Sequence, residues 1–133
     1  NSQVNLEGLQ NASSEQTRRL QGQSPYTVNI GMYYDNYDLG LNANLLMNIY
    51  GDKISEVGKS GFSDVLENGR DVLDFSVTKT FLNKFEAKFT ARDILNQDIK
   101  YTQDFTLNNQ TITKTVRTIS TGTYYGFTLG YKF

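Results

Sequence analysis

The chemistry open to this chain is limited by the residue types that it lacks. Its 133 residues include neither histidine nor cysteine, so the common nucleophile–base pairs and most transition-metal sites cannot be built from it. Paired carboxylates remain, and we predict Asp74 and Glu86 on the polar faces of neighbouring strands. Because Lys84, Lys88 and Arg92 accompany them, we expect a ladder of ion pairs rather than a catalytic pair, and no enzymatic activity.

Cofactor and nucleic-acid sites are not indicated either. Gly51-Asp-Lys and Gly58-Lys-Ser lack the earlier glycine that a phosphate-binding loop requires at a fixed spacing. The 13 basic and 14 acidic residues give a net charge of −1 and form no basic cluster. Since nucleic-acid binding usually needs a basic patch, we expect neither a cofactor nor a nucleic-acid partner.

Three long polar connections are predicted, at residues 7–25, 51–71 and 93–122. Five cations in the first two of them could meet an anionic ligand or lipopolysaccharide outside a cell. Ordinary solvation of a charged loop is the simpler interpretation and requires no ligand. The cations concerned are Arg18, Arg19, Lys53, Lys59 and Arg70.

The segment from Thr121 to Phe133 alternates strictly between two kinds of side chain. Successive residues of a β-strand point to opposite faces, so one face suits lipid and the other suits water. About nine to eleven tilted residues cross a hydrocarbon layer, and this strand is long enough. Its apolar face carries Tyr125, Phe127, Leu129, Tyr131 and Phe133, and its polar face carries Tyr124, Gly126, Thr128, Gly130 and Lys132.

The same alternation predicts four earlier strands, at residues 26–35, 39–50, 72–81 and 84–92. Short turns at 36–38 and 82–83 join them in pairs. Lys79 is the only charged residue on their apolar faces, and it lies near a strand end, where a lysine can extend to the membrane interface. A further hairpin is predicted between residues 98 and 120, with Asn108 and Asn109 near its tip.

The polar faces of these strands do not suit a dry protein interior. Asn42, Asn44 and Asn48 share one face of a single strand. An unpaired buried amide costs about 1–3 kcal/mol, whereas an amide in contact with water costs nothing. The pattern is typical of a transmembrane β-barrel with a wet or plugged lumen.

Aromatic residues mark one end of the predicted strands. They lie next to the short turns or at the end of the final strand. Because these positions are all predicted at the same side of a membrane, the aromatic residues would lie at one height. This is the arrangement expected for a periplasmic aromatic girdle, with Tyr26 and Tyr125 marking the opposite end. The girdle residues are Tyr34, Phe81, Phe85, Tyr131 and Phe133.

Five or six strands are too few to close a transmembrane barrel, for which eight is the smallest usual number. An open edge in lipid would leave unpaired backbone groups at a cost of several kcal/mol each. Val4 and Leu6 are interpreted as the end of a preceding strand. We therefore expect this chain to be one part of a longer barrel, or several copies to form one barrel together.

The quoted segments resemble the end of TonB-dependent outer-membrane receptors, with the closest likeness to the Bacteroidota branch. The resemblance implies an antiparallel transmembrane β-barrel of twenty-two strands with an internal plug, of which residues 1–133 would be roughly the last six strands. The motifs, in order, are Arg19-Leu-Gln-Gly-Gln-Ser-Pro-Tyr-Thr-Val-Asn-Ile-Gly-Met-Tyr-Tyr-Asp, Asn48-Ile-Tyr-Gly-Asp-Lys-Ile, Leu73-Asp-Phe, Ala91-Arg-Asp-Ile-Leu-Asn-Gln and Leu129-Gly-Tyr-Lys-Phe.

By that resemblance the whole protein imports a glycan, a peptide or an iron chelate. External loops and the plug would bind the nutrient, and the TonB system would pull the plug to release it. The expected surroundings are outer-membrane lipid and lipopolysaccharide, the barrel-assembly machinery, the TonB system acting through the plug, and in some receptors a surface lipoprotein. Phe127, Leu129, Tyr131 and Phe133 match the terminal signal that such proteins present to the assembly machinery, a form of β-augmentation.

Two other functions remain open at this point. A passive porin or a structural outer-membrane barrel would share the terminal assembly signal but have no plug. A small soluble β-barrel that holds a lipid would turn the apolar face inward, and it would leave the aromatic residues at one end unexplained.

Overall fold

The computed structural model describes residues 3–5, 17–59, 61–108 and 110–132, with side chains described from Leu20 onward. The described chain consists of strands and turns. No helix in these ranges is long and apolar enough to cross a membrane. The strands are β1 (Gln3–Asn5), β2 (Thr17–Arg19), β3 (Thr27–Asn36), β4 (Leu41–Tyr50), β5 (Lys53–Glu56), β6 (Val65–Glu67), β7 (Arg70–Phe81), β8 (Phe85–Arg92), β9 (Ile99–Leu107), β10 (Gln110–Ile119) and β11 (Tyr124–Tyr131).

The strands form antiparallel sheets. The largest sheet has five strands in the order β11-β8-β7-β4-β3, another has four in the order β10-β9-β6-β5, and β1 pairs with β2. The chain divides into two compact units, one built around the four-stranded sheet and one around the five-stranded sheet. The all-β prediction is therefore confirmed, and no closed barrel is present in the described ranges, since β3 and β11 are the two edges of the five-stranded sheet.

The five-stranded sheet contains the five strands that alternation predicted. Their ends differ from the predicted ends by up to three residues, and each predicted strand is present. The turns at residues 37–40 and 82–84 lie at one end of this sheet. Since neighbouring strands are antiparallel, the longer connections from β4 to β7 and from β8 to β11 leave from the other end.

The turn after β7 depends on two residues in the left-handed conformation. Leu82 and Asn83 have φ angles of 52° and 55°, as both central residues of a type I′ turn require. The amide of Lys84 donates to the carbonyl of Phe81 at 3.1 Å. Lys84 completes a loop of three residues, and Phe81 therefore lies opposite Phe85.

The predicted long connection at residues 51–71 is wrong in part, because it contains β5 and β6. These two strands pair with each other, and β6 also pairs with β9. Ile54 is 8% exposed, and Lys53 forms an ion pair with Glu67 at 2.9 Å across the two strands. Apolar burial and a cross-strand ion pair thus stabilise the pairing of β5 with β6. Both strands are too short to show a clear alternation in the sequence.

The predicted hairpin between residues 98 and 120 is confirmed as β9 and β10. Gln110 lies opposite Leu107, and Asn108 has a φ of 49° at the tip, whereas Asn109 lies outside the described residues. The register shifts between Thr115 and Arg117, which is the mark of a β-bulge. Val4 lies in β1, and Leu6 is outside the described ranges.

Candidate membrane and lumen faces

The apolar face of the five-stranded sheet is defined here by the alternate apolar positions of its strands. The register confirms that these positions share one face in β7, β8 and β11, because each predicted apolar residue of β11 lies opposite an apolar residue of β8. The same holds between β8 and β7, apart from Lys79. From the short-turn end, the rows are Phe81–Phe85–Tyr131, Lys79–Ala87–Leu129, Val77–Phe89–Phe127 and Phe75–Ala91–Tyr125.

This apolar face is largely exposed. Leu129 is 73% exposed, Phe127 is 66% exposed and Met32 is 67% exposed, all on the two edge strands. On the inner strands the apolar side chains are mostly half-buried, and only Ala91 is fully buried. A monomer in water rarely exposes a continuous apolar surface of this extent, which marks a site of contact with lipid or another protein.

Aromatic side chains meet at the short-turn end of the apolar face. The rings of Phe85 and Tyr131 lie 5.0 Å apart and are tilted by 50°, within the range preferred for aromatic pairs. Phe81 continues this row, and Tyr34 lies near the end of β3 at the same turn end of the sheet. Phe133, also predicted in this group, lies outside the described residues.

A second aromatic pair lies toward the opposite end of the face. The rings of Phe89 and Tyr125 are 6.3 Å apart and nearly parallel, with an angle of 22°. Tyr26, predicted to mark this end, precedes β3, and its carbonyl accepts a hydrogen bond from the amide of Gly51 at 3.2 Å. The sheet therefore carries aromatic residues toward both ends of its strands.

Lys79 is the charged exception on the apolar face. Its ammonium donates a hydrogen bond to the main-chain carbonyl of Leu39 and lies 5.7 Å from the centre of the Phe81 ring. None of the ion pairs that the structure describes includes Lys79. The side chain therefore extends toward the short-turn end, as expected for a lysine that avoids an apolar surface.

The opposite, polar face contains a concavity of about 570 Å³. Tyr33, Asn44, Asp74, Ser76, Lys88, Thr90 and Arg92 contribute to its lining. The amide of Asn42 donates to the hydroxyl of Tyr33 at 2.5 Å, and the amide of Asn44 donates to the side-chain oxygen of Asn42 at 3.1 Å. Two of the three asparagines that suggested a wet face, Asn42 and Asn44, are thus linked to each other, and Asn42 is linked to a tyrosine across the β3–β4 hairpin.

The expected ladder of ion pairs on the polar face is not found. No ion pair within 4.0 Å in the described part of the chain joins any two of Asp74, Lys84, Glu86, Lys88 and Arg92. The register explains this difference, because Glu86 lies between Thr80 and Gly130, and Lys88 lies between Thr78 and Thr128.

Asp74 has a structural role instead. Its carboxylate accepts a hydrogen bond from the amide of Asp93 at 2.9 Å. Asp93 has a φ of 52°, and its carboxylate and carbonyl oxygens accept hydrogen bonds from the hydroxyls of Thr121 and Thr123 at 3.1 and 3.0 Å. This group of bonds fixes the point where the chain leaves β8 and enters β11.

The loop cations occupy different positions in the structure. Lys53 is bound to Glu67, Lys59 is exposed in the connection between β5 and β6, and Arg70 begins β7. Arg18 and Arg19 lie in β2, and their side chains are not described. Lys53 is therefore partly neutralised, and Lys59 is the cation of this set that is shown in an exposed connection.

Sequence analysis missed one basic residue in the four-stranded sheet. The guanidinium of Arg117 lies 3.9 Å from the centre of the Tyr101 ring and 3.8 Å from the carboxylate of Glu56. Tyr101 is 9% exposed. This contact between an exposed cation and a buried aromatic ring depends on the register of the two strands. Only the pairing of β9 with β10 could have revealed it.

Metal binding is not suggested by the described residues, which contain no group of three or more histidine, cysteine, aspartate or glutamate residues that could hold an ion. Comparison with known proteins gives no match. No protein-family model, curated protein or solved structure matches the chain.

Proposed function

We propose that this chain forms part of the wall of a transmembrane β-barrel in the outer membrane, within an importer of the TonB-dependent class. The observation that carries the proposal is the exposed apolar face, which continues in register across β7, β8 and β11. A sheet with one apolar and one polar face is the arrangement that separates lipid from a lumen. In this arrangement the apolar face contacts lipid and the polar concavity faces the lumen.

Energetics support this placement. Apolar surface left in water forfeits roughly 25 cal/mol for each Å² that could have been buried, and this face holds Phe127, Leu129 and Met32 largely exposed. Contact with acyl chains removes that cost. The two edges, β3 and β11, need partner strands in a membrane, because each unpaired backbone group in lipid costs several kcal/mol. Further strands, from the same polypeptide or from other copies, would supply them.

The assignment to an importer is supported by the sequence resemblance. In that role the wall segment would enclose a plug, external connections would help to bind a glycan, a peptide or an iron chelate, and TonB would act on the plug. Phe127, Leu129, Tyr131 and Phe133 would also be recognised by the barrel-assembly machinery. Outer-membrane lipid, lipopolysaccharide and, in some receptors, a surface lipoprotein complete the set of proposed partners.

A passive porin is the second candidate. The observation that favours it is the concavity on the polar face. Its lining combines hydroxyl, amide and charged groups with Met32, Leu45, Leu46 and Phe75, and the polar groups suit water as well as a plug. The two functions differ in permeability. A porin passes small neutral solutes at any time, whereas a plugged importer blocks them.

The first experiment is to measure the denatured mass of the polypeptide that carries this carboxyl-terminal sequence, purified from detergent-solubilised outer membranes. An importer requires a mass several times the 15.1 kDa of this chain. Reconstituted vesicles should then fail to swell in an isotonic arabinose solution. A large polypeptide that does permit swelling would favour the porin, and a mass near 15.1 kDa would exclude the single-chain importer.

A further inference from the structure

The short-turn end of the apolar face combines a cation with an apolar groove. The groove has a volume of about 340 Å³ and is lined by Phe81, Phe85, Glu86, Ala87, Leu129, Gly130 and Tyr131. Ala87 lies in register with Lys79 on one side and with Leu129 on the other. The small Ala87 side chain leaves space between the aromatic row and the bulkier residues of the next rows.

We propose that this groove and Lys79 form a binding site for one anionic glycerophospholipid, an inference that rests on the proposed placement in the outer membrane. An acyl chain lies in the groove, against the rings of Phe85 and Tyr131. The phosphate lies at the level of the Lys79 ammonium, toward the short-turn end. This end faces the periplasm in the proposed orientation, where the membrane leaflet consists of glycerophospholipids.

Charge complementarity identifies the class of lipid. The ammonium of Lys79 can donate three hydrogen bonds, and the structure shows one, to the carbonyl of Leu39. No carboxylate in the described residues forms an ion pair with it. A single positive charge beside an apolar surface is best neutralised by an anion that carries its own acyl chains.

Aromatic geometry fixes the depth of the headgroup. Amphipathic rings such as that of Tyr131 settle at the boundary between headgroups and acyl chains. Phe81 lies in the same row as Tyr131, and the Lys79 ammonium lies 5.7 Å from the centre of the Phe81 ring. Lys79 is therefore held at the height where a lipid phosphate lies. Lys88, by contrast, lies on the polar face of the sheet.

The test uses the full-length protein purified from outer membranes in detergent, with native mass spectrometry during titration of phosphatidylglycerol or phosphatidylethanolamine. Lys79→Gln should weaken phosphatidylglycerol binding about fivefold, the change expected when one cation near a lipid surface is lost. Binding of phosphatidylethanolamine should be unchanged. Lys79→Arg should keep the preference, and the polar-face control Lys88→Gln should have no effect.

A second variant tests the groove without changing charge. Ala87→Leu should fill the groove and weaken the retention of both lipids. Soluble glycerol phosphate, which lacks acyl chains, should not compete with phosphatidylglycerol. Unchanged lipid binding by Lys79→Gln, or equal losses in Lys79→Gln and Lys88→Gln, would overturn the site.

Membrane insertion is scored separately from lipid binding. Heat-modifiable migration on a gel reports a folded barrel in each variant. A wild-type protein absent from the outer membrane would refute the proposed function, whereas a folded barrel without a lipid preference at Lys79 would refute only the lipid site.

Discussion

At the scale of single residues, the short turns depend on backbone conformations that few residue types adopt. Gly40 has a φ of 57°, in the left-handed region that disfavours side chains. A Cβ atom at this position would lie 2.8 Å from the carbonyl oxygen of Thr80. The carbonyl of Gly40 also accepts a hydrogen bond from the amide of Thr80 at 2.8 Å, so β4 and β7 join closely at this glycine.

Replacing Gly40 should therefore destabilise the sheet. We expect Gly40→Ala to lower the free energy of unfolding by about 2 kcal/mol, since the left-handed conformation alone costs roughly 1–2 kcal/mol for an L-residue. Gly130→Ala is the matched control, because its Cβ would lie an ordinary 3.7 Å from the Cβ of Glu86. Urea titration of the full-length protein in detergent measures both variants, and equal losses would contradict the role of Gly40.

At the scale of elements, alternation predicted long strands well and short strands poorly. In β3, β4, β7, β8 and β11 the side chains repeat every two residues because each face meets a different environment. β5 and β6 have only four and three residues, which is too few for a period to be recognised. Their partner β9 is also distant in sequence, so their pairing has no local signal.

The sequence predicts some features of the candidate faces and not others. Face membership follows from alternation alone, and the register of β7, β8 and β11 agrees with it. The bonds joining Tyr33, Asn42 and Asn44 depend on how β3 lies beside β4 and on side-chain rotamers. The missing ion-pair ladder has the same origin, since alternation placed the charges on one face but only the register could show that Glu86 and Lys88 lie opposite neutral residues.

Adjacent residues of β11 provide a direct test of which face contacts lipid. Phe127 lies in a middle row of the apolar face, opposite Phe89, and Thr128 lies opposite Lys88 on the polar face. In lipid vesicles we expect Phe127→Arg to lower the free energy of unfolding by about 2–4 kcal/mol, the cost of a cation near the bilayer centre. Thr128→Arg should change it by less than about 1 kcal/mol if that face is wet.

The measurement is a urea series on the full-length protein folded into phosphatidylcholine vesicles. A loss for Thr128→Arg that equals or exceeds the loss for Phe127→Arg would reverse the assignment of the two faces. It would then favour a small soluble barrel that turns its apolar residues inward.

At the scale of the whole molecule, few side chains leave water. Among the described residues, the buried apolar side chains are Ile54, Ala91 and Tyr101. Burial of apolar surface is the main favourable contribution to folding in water, and it must offset roughly 1–2 kcal/mol of backbone entropy for each ordered residue. Two compact units with so little interior lack that contribution.

We therefore expect a polypeptide of residues 1–133 not to fold cooperatively in aqueous buffer without detergent. Far-ultraviolet circular dichroism during heating should show a gradual change and no sigmoidal transition, with aggregation through the apolar face. A monomer with a sharp, reversible transition would contradict this expectation and would support a water-soluble function.

The bulge in β10 has a consequence for how the β9–β10 hairpin keeps its alignment. Threonine occupies every second position at 111, 113 and 115, so sliding β10 by two residues along β9 would present the same hydroxyl pattern to its partner. A repetitive strand of this kind is poorly protected against slippage. The bulge before Arg117 occurs once, and beyond it Arg117 stacks on Tyr101 and reaches Glu56. Any slipped alignment would separate Arg117 from both, so one irregular position defines the register that the repeating threonines leave ambiguous.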